Sequence, residues 1–418
     1  MFEGDRMSVR NRAAMPYGWG RVSYAYQDRL PWMNLPFPMS EYHERLDRLR
    51  SRMAQDGLDC LVVLGNRADN SNIRYLTNFE DFYGGESIVV VPRAGSPGFA
   101  TNAVMHGEPM HSGIQDCWME DVRCAAAPRT VTGSAQAVGI LDHVEDFIRE
   151  RGCEASAIGV VGEFNAERLF QFLRETFPKA RVTPAHGIMP ALRALKSARE
   201  IDVMRKACVL ADVAMQAAMD AVRPGASEFD LAAEANYAMF KAGAEHPAFA
   251  IAMAAGPRSG FKHMAPTNYR VRDGDMVYID VGGRYMGYYS DCSRQRVCGE
   301  PTGEQRRFME TQIRIVEEVT RAAHPGAVIA DLAQIGIAIA REAGSEDYLY
   351  FRGHGIGCAT HDLPSFAPGN PAALQENMVF CFEPMLVRKD FGTACWEDIW
   401  WVTATGVEGL NRCPIRWW

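Results

Sequence analysis

Several common features are absent from this sequence of 418 residues. Basic residues are not in excess, since the chain has 44 Lys and Arg but 52 Asp and Glu. The resulting net charge of −8 argues against a nucleic-acid-binding surface and against a polybasic membrane-binding surface. No apolar run approaches the roughly 18 residues of a membrane span, and the N-terminal MFEGDRMSVRNRAAMPYGWG lacks the apolar centre of a signal peptide. We therefore expect a cytoplasmic protein whose partner is a small molecule or short peptide, with no nucleic acid and no membrane involved.

The sequence also lacks closely spaced pairs of cysteines. The 11 cysteines are odd in number, scattered, and contain no C-x-x-C pair. This usage disfavours both a disulfide framework and a thiolate zinc site. It fits a reducing compartment and so agrees with a cytoplasmic location.

The length and composition predict a soluble chain of about two domains. Residues 1–39 are rich in Pro, Trp and Tyr without a clear period, which indicates an irregular N-terminal arm. Residues 40–194 are predicted to form an α/β domain, since a helix that Gly57 can close precedes the buried strand LDCLVVLG. Further strands (SIVVVP and AIGVVG) and helices (near residues 135–151 and 166–176) complete this domain. It contains no evident catalytic constellation.

Residues 195–418 contain an internal repeat. A capping box of Ser197 and Glu200 begins a long helix that Pro224 and Gly225 end, and a second helix follows as far as Gly243. The same order recurs later, since PGASEFDLA at 224 and PGAVIADLA at 325 lie 101 residues apart. A single duplication of this length predicts two half-domains related by a pseudo-two-fold axis, with a site between them.

Each half ends in strands that carry acidic residues. VRDGDMVYIDVGGRYMGYYSDCSRQ predicts a hairpin with its turn at Gly282–Gly283, which brings Asp280 and Asp291 together. In MVFCFEPML and CWEDIWWVT, the alternation places Glu383 and Glu397 on otherwise apolar strand faces. Buried carboxylates without a partner cost several kcal/mol, so these four residues call for a cation.

One histidine belongs with these carboxylates. In FRGHGIGCATHDLPSF, Gly353 and Gly355 flank His354, where they permit unusual dihedral angles or the close approach of another group. A solvated histidine in a Gly-rich turn is the alternative. Together the five residues predict a dinuclear site, because four carboxylates balance two divalent cations. Oxygen-rich ligation with one nitrogen favours Mn, Fe, Co or Zn.

The order D-x10-D, G-H-G-I-G, F-E-P and W-E-D resembles the creatinase, aminopeptidase P and prolidase family, which has the pita-bread fold. The 14-residue step from Glu383 to Glu397 is typical of the prolidase branch, and NIRYLTNF at 72–79 resembles the smaller N-terminal domain of longer members. The resemblance implies a mixed α/β (α+β) chain with a creatinase-like N-terminal α/β domain and a C-terminal pita-bread catalytic domain.

The resemblance also implies the roles of the five ligands. Asp291 and Glu397 bridge both ions and Asp280 completes the ligation of one. His354 and Glu383 complete the ligation of the other.

Two further histidines match positions of the family that face the substrate. His361 is the second histidine of the Gly-rich segment, and His263 lies in GPRSGFKH before the metal-bearing hairpin. Either one would donate to a developing oxyanion or hold a substrate carbonyl or carboxylate. A structural role remains the alternative for each.

The reaction implied is hydrolysis of a C–N bond, as in Xaa-Pro peptidases. Two cations convert a bridging water to hydroxide and polarise the carbonyl, while Glu383 carries the proton to the leaving nitrogen. Family members of this length are usually homodimers, and the aromatic arm of residues 16–37 has more apolar surface than a free tail should expose. We therefore expect a homodimer.

Two departures from the family leave the substrate open. Peptide-cleaving relatives often carry arginines where this chain has Ser365 and Cys395, so weak recognition of a free C-terminal carboxylate is expected. One alternative is diverged chemistry on a small molecule, such as an ectoine hydrolase- or creatinase-like ring or amidine hydrolase, or a lyase. Another is a non-catalytic binding protein, which is disfavoured because all five ligands are present. Trp396, Trp400 and Trp401 either line the pocket or pack in the core, and packing is favoured.

Overall fold

A computed structural model describes residues 25–81, 84–102, 104–105, 108–109, 114, 116–125, 139–162, 166–415 and 418. The first 24 residues of the predicted arm, and residues 135–138 of a predicted helix, lie outside this set. Contacts divide the chain into two compact units, Met1–Leu192 and Arg193–Trp418. Within the described ranges, no helix combines the length and the apolar character needed to cross a bilayer.

The first unit is a mixed α/β structure. Its helices are α1 (Tyr26–Arg29), α2 (Met39–Gln55), α3 (Ser71–Thr77), α4 (Ile140–Glu150), α5 (Ala166–Thr176) and α6 (Ile188–Ala194), the last of which crosses the boundary between the units. Its strands are β1 (Cys60–Asn66), β2 (Glu86–Pro92), β3 (Gly98–Thr101), β4 (Val104–Met105), β5 (Glu108–Pro109), β6 (Asp121–Cys124), β7 (Ala157–Val161) and β8 (Arg181–Pro184). Six of these strands form one sheet in the order β6-β3-β2-β1-β7-β8.

Local sequence signals account for this unit. Leu49 and Met53 of α2 are fully buried, and Gly57, at φ +65°, follows the end of the helix as predicted. The three predicted strands are β1, β2 and β7, so the α/β prediction is confirmed. Part of the predicted irregular arm is helical, because α1 is followed by a 3₁₀ turn at Leu30–Trp32.

In its described residues, the second unit holds two pairs of α-helices and four sheets. Its helices are α7 (Ala198–Ala221), α8 (Glu228–Lys241), α9 (Gly303–Ala322) and α10 (Ile329–Glu342). Its strands are β9 (Ala252–Ala255), β10 (Met276–Val281), β11 (Arg284–Tyr285), β12 (Tyr288–Tyr289), β13 (Cys292–Val297), β14 (Leu349–Tyr350), β15 (Gly353–Gly355), β16 (Asp362–Ser365), β17 (Val379–Phe382), β18 (Met385–Arg388), β19 (Gly392–Cys395), β20 (Asp398–Val402) and β21 (Val407–Gly409). The sheet orders are β13-β10-β9, β11-β12, β14-β18-β19 and β16-β15-β17-β20-β21.

The two halves of this unit repeat each other in detail. The predicted capping box of Ser197 and Glu200 begins α7, and an equivalent box of Thr302 and Gln305 begins α9. Gly225 and Gly326 occupy equivalent turns with φ of +87° and +90°. Equivalent isolated bridges follow, from Ser227 to Arg270 and from Val328 to Ala373. The structure therefore contains the predicted internal repeat.

The hairpin between Asp280 and Asp291 differs from the predicted one. Its two-residue turn lies at Met286–Gly287, where both residues have positive φ, and not at Gly282–Gly283. A Cβ on Gly282 would lie 2.1 Å from the Ser290 carbonyl oxygen, so this glycine serves a close backbone approach instead.

Candidate metal centre

The four predicted carboxylates occupy equivalent places in the two halves. Asp280 lies near the end of β10 and Asp291 directly precedes its antiparallel neighbour β13. Glu383 directly follows β17 and Glu397 directly precedes β20, which is antiparallel to β17. A bridge between Ser293 and Glu397 joins the two halves at this point. The duplication therefore supplies one pair of carboxylates from each half.

His354 enters from the middle of β15, which pairs with β16 on one side and β17 on the other. A Cβ on Gly353 would lie 2.6 Å from the Cys381 carbonyl oxygen, and one on Gly355 only 2.0 Å from that of Leu363. Neither Gly353 nor Gly355 has a positive φ. The glycines are thus needed for close strand approach, the second of the two expected reasons, and not for unusual dihedral angles.

The imidazole faces the carboxylates. His354 Nδ1–H donates to its neighbouring Gly355 carbonyl at 3.0 Å, which leaves Nε2 3.8 Å from Asp291 Oδ2 and 3.6 Å from Glu383 Oε1. Burial and, to a smaller extent, nearby His361 lower the pKa of His354 to about 3. The ring is therefore neutral near pH 7, which is the form that binds a metal.

Three of the carboxylates, those of Asp291, Glu383 and Glu397, are destabilised as anions. Burial, reinforced by the charge of Glu397, raises the pKa of Asp291 well above its usual value. Burial and Glu383 do the same to Glu397. Burial and Asp280 raise the pKa of Glu383 to about 7. These mutual effects, together with the distances from His354 to Asp291 and Glu383, place all four carboxylates and His354 in one cluster.

Within the cluster, two buried oxygens lack hydrogen-bond partners among the described residues, Asp280 Oδ1 and Glu397 Oε1. Buried acceptors without a donor are rare in native structures. A cation would satisfy both oxygens and relieve the repulsion among the carboxylates. The residues present therefore fit divalent metal ions with predominantly oxygen ligands.

Hydrogen bonds from neighbouring residues orient two of these carboxylates. Tyr278 Oη donates to Asp280 Oδ2 at 2.9 Å, and Ser293 Oγ donates to Glu397 Oε2. Both donors are fully buried. Tyr278 lies two residues before Asp280 on β10, and Ser293 lies two residues after Asp291 at the start of β13. Period-two alternation in the sequence could have identified them.

Cys381 was not predicted as part of the centre. Potential ligand atoms of Asp291, His354, Cys381 and Glu397 all lie within 4.8 Å of one another. Burial, followed by the charges of Asp291 and Glu397, raises the pKa of the thiol well above its usual value. The alternation that places Cys381 on the face of Glu383 was the signal for its position.

The two histidines that were predicted to face the substrate lie at the exposed side of the cluster. The His361 ring stacks on that of His354 with centroids 4.0 Å apart, and burial lowers the pKa of His361. His263 is half exposed, and its Nδ1 lies 3.5 Å from Asp280 Oδ2. The Asp280 carboxylate raises the pKa of His263.

The positions that lack arginines differ in their surroundings. Ser365 lies opposite His354 on β16, whereas Cys395 is buried against Tyr278 and Met385. Trp396 and Trp400 pack against the hydrophobic core of the second half, which agrees with the packing role. Trp401 Nε1 donates to Asn377 Oδ1 at 3.3 Å.

Comparisons with known proteins match both units. Residues 202–404 match the family described as metallopeptidase family M24, and residues 45–195 match the creatinase/prolidase N-terminal domain. An Xaa-Pro dipeptidase of Pyrococcus furiosus is 34% identical over 226 residues, which cover 54% of this chain and 65% of that protein. An Xaa-Pro dipeptidase of Pyrococcus horikoshii is 32% identical over 247 residues, covering 58% and 70% respectively.

The fold has solved counterparts. The structure of an Xaa-Pro dipeptidase from Bacillus anthracis superposes with a TM-score of 0.77 at 24% identity, covering 90% of this chain and 99% of that one. At this identity the likeness concerns the fold, and it confirms the expected arrangement of a creatinase-like N-terminal domain followed by a pita-bread domain.

Proposed function

Because this chain belongs to the creatinase/prolidase family of M24 metallopeptidases, we propose that it is a dinuclear metallohydrolase that cleaves the C–N bond of Xaa-Pro dipeptides or closely related amides. The observation that carries this proposal is the buried cluster of four carboxylates and a neutral histidine, with two buried oxygens left without hydrogen-bond donors. The dipeptidase relatives support the substrate class.

We propose that Asp280, Asp291, His354, Glu383 and Glu397 hold two divalent ions, either Mn, Co, Fe or Zn. Asp291 and Glu397 belong to the compact group around His354, which suits bridging positions. When bound, the two cations acidify a water as the nucleophile and polarise the carbonyl of the scissile bond.

The chain's own residues perform the remaining steps. Glu383, with its pKa of about 7 before metal binding, is suited to pass a proton to the leaving nitrogen near neutral pH. His361 is neutral, and when its Nδ1 accepts from Thr360 Oγ1, its Nε2–H is the donor toward the carbonyl oxygen. His263, whose Nδ1 lies 3.5 Å from Asp280 Oδ2, is the residue that we assign to substrate positioning.

A second candidate function rests on the substitutions at Ser365 and Cys395. If no other cation recognises a C-terminal carboxylate, the same centre would act on a compact nitrogen compound without one. A cyclic amidine or N-acyl substrate has the required scissile bond.

We further propose an arm (residues 1–39), a creatinase-like domain (40–194) and a catalytic domain (195–418), assembled as a cytoplasmic homodimer. The dimer is the assembly expected from the resemblance to longer members of the family. Light scattering at micromolar concentration tests it, and a monomer would contradict it.

The proposed function is tested by supplying metal to metal-free protein and following the hydrolysis of Ala-Pro beside cyclic amidines and N-acyl compounds. Cleavage of Ala-Pro that disappears on chelation is expected. Metal-loaded protein that cleaves only the small compounds would favour the second candidate, and protein that cleaves none of them would contradict the hydrolase assignment.

A further inference from the structure

We propose that Arg352 is a specificity-determining residue that binds the carboxylate of the substrate, in place of the arginines absent at Ser365 and Cys395. This inference rests on the proposed function, because it concerns the substrate of the same centre. It names a residue that the sequence patterns did not single out.

The strand register places Arg352 at the edge of the cluster. Gly353 pairs with Phe382, and the next position outward brings Glu383 N–H to the Arg352 carbonyl at 3.2 Å. Since alternate residues of a strand share a face, Arg352 projects on the same side as His354. Arg352 Nε accordingly lies 3.2 Å from Glu383 Oε1.

The guanidinium is anchored but accessible. Its Nη1 donates to Tyr350 Oη at 3.0 Å, while its Nη2 has no hydrogen-bond partner among the residues that the structure describes. The side chain is 41% exposed, compared with 5% for Glu383. One end of the planar group is therefore fixed and another faces outward, which suits the capture of a carboxylate.

A second positive group, that of Lys262, also contacts Tyr350. Lys262 Nζ lies 3.1 Å from the centroid of the Tyr350 ring, so Tyr350 is held between Lys262 and Arg352. After burial, the charge of Arg352 is the next cause of the lowered pKa of His361, so the guanidinium is within electrostatic reach of that ring. Arg352 and Lys262 thus place two positive charges around Tyr350, and Arg352 lies beside the carboxylate of Glu383.

Metal loading makes the charge of Arg352 available. Two divalent ions balance the four carboxylates, so Glu383 no longer requires Arg352 as its counter-ion. In a dipeptide, the carboxylate lies one residue, about 3.5 Å, beyond the scissile carbonyl. A cation beside the metal ligands is therefore within reach of that carboxylate.

A purely structural role would have a different signature. If Arg352 only balanced Glu383, its removal would alter metal content or stability without changing the preference for a charged substrate end. The control variant is Arg205→Met, because Arg205 pairs with Glu408 at 2.9 Å and is similarly exposed at 35%.

The test measures dissociation constants by titration calorimetry on metal-loaded protein, with L-proline and L-prolinamide as probes, beside kcat and KM for Ala-Pro and its C-terminal amide. Wild type and Arg205→Met should bind proline about tenfold to a hundredfold more tightly than prolinamide. Arg352→Met should lose this preference, chiefly through KM, while its metal content is unchanged. Arg352→Lys should keep part of it, because the charge remains but the planar fork does not.

The outcomes separate this inference from the proposed function. A wild type without preference for the carboxylate, or an Arg352→Met variant that retains it, would overturn the role of Arg352 even if Ala-Pro is hydrolysed. Selective proline binding that depends on Arg352, without hydrolysis of any amide, would support this inference and overturn the hydrolase assignment.

Discussion

Ser293 and Glu397 contact each other through both backbone and side chain: the Glu397 N–H donates to the Ser293 carbonyl at 3.1 Å, and Ser293 Oγ donates to the Glu397 carboxylate. This double contact joins the two halves of the repeat at a carboxylate that we propose bridges the ions.

Ser293→Ala should therefore weaken metal binding by about tenfold to a hundredfold, because the bridging carboxylate loses the donor that orients it. Ser259→Ala is the control, since it also removes a buried hydroxyl, which donates to Gly256 O at 2.8 Å. Competition with a fluorescent chelator measures both affinities. Equal affinities in the two variants would show that Ser293 does not orient Glu397.

Asp291→Asn and Asp280→Asn should lose metal unequally. Asp291 belongs to the compact group around His354, whereas Asp280 lies outside that group and is held by Tyr278. We expect Asp291→Asn to lose binding at both positions and Asp280→Asn to lose mainly one ion, as measured by elemental analysis after reconstitution. The same loss in both variants would argue against the bridging assignment.

Metal binding should release protons near pH 6. In the metal-free protein, the pKa of Glu383 is raised from 4.5 to about 7. Between these two pH values the folded state holds a proton that the unfolded state has lost, so the contribution of Glu383 to the free energy of unfolding falls as pH rises. His354 has the opposite effect, because its pKa is lowered from 6.5 to about 3 and stability from this group rises with pH over that range. Only the carboxylates hold protons that a cation must displace.

Calorimetry at about pH 6, in buffers of different ionisation enthalpy, should accordingly detect release of about one proton or more per chain. The metal-dependent rise in Tm should also be larger at neutral pH than at acidic pH. Metal binding without proton release would mean that the carboxylates are already ionised in the metal-free protein.

His361→Ala should reduce kcat by about a hundredfold, because it removes a donor to the developing oxyanion. His263→Ala should act mainly on KM, since we assign that residue to substrate positioning. Both variants should bind the same amount of metal as wild type, and His324→Ala, at an exposed position, is the control. Loss of metal from His361→Ala would instead assign that imidazole to the metal centre.

Much of the fold follows from local sequence signals. The capping boxes at Ser197 and Thr302 and the turn glycines at Gly225 and Gly326 act within a few residues, and the repeat made them recognisable twice. The acidic residues on apolar strands likewise identified a buried cluster, because buried carboxylates are unstable unless a cation lies near them.

What the sequence could not predict depends on register between strands. Arg352 lies beside Glu383, and Cys381 beside His354, only because β15 and β17 pair at one particular offset. The hairpin turn was misplaced for a related reason: Gly282–Gly283 is a strong turn signal, but Gly282 is needed where the Ser290 carbonyl approaches.

The most direct test is to titrate metal-free protein with Mn²⁺ or Co²⁺ while measuring both bound metal and the rate of Ala-Pro hydrolysis. We predict that hydrolysis reaches its maximum when about two ions are bound per chain, as expected for a two-metal centre. Full activity with a single ion would contradict the dinuclear assignment, and two bound ions without hydrolysis of any amide would contradict the proposed reaction.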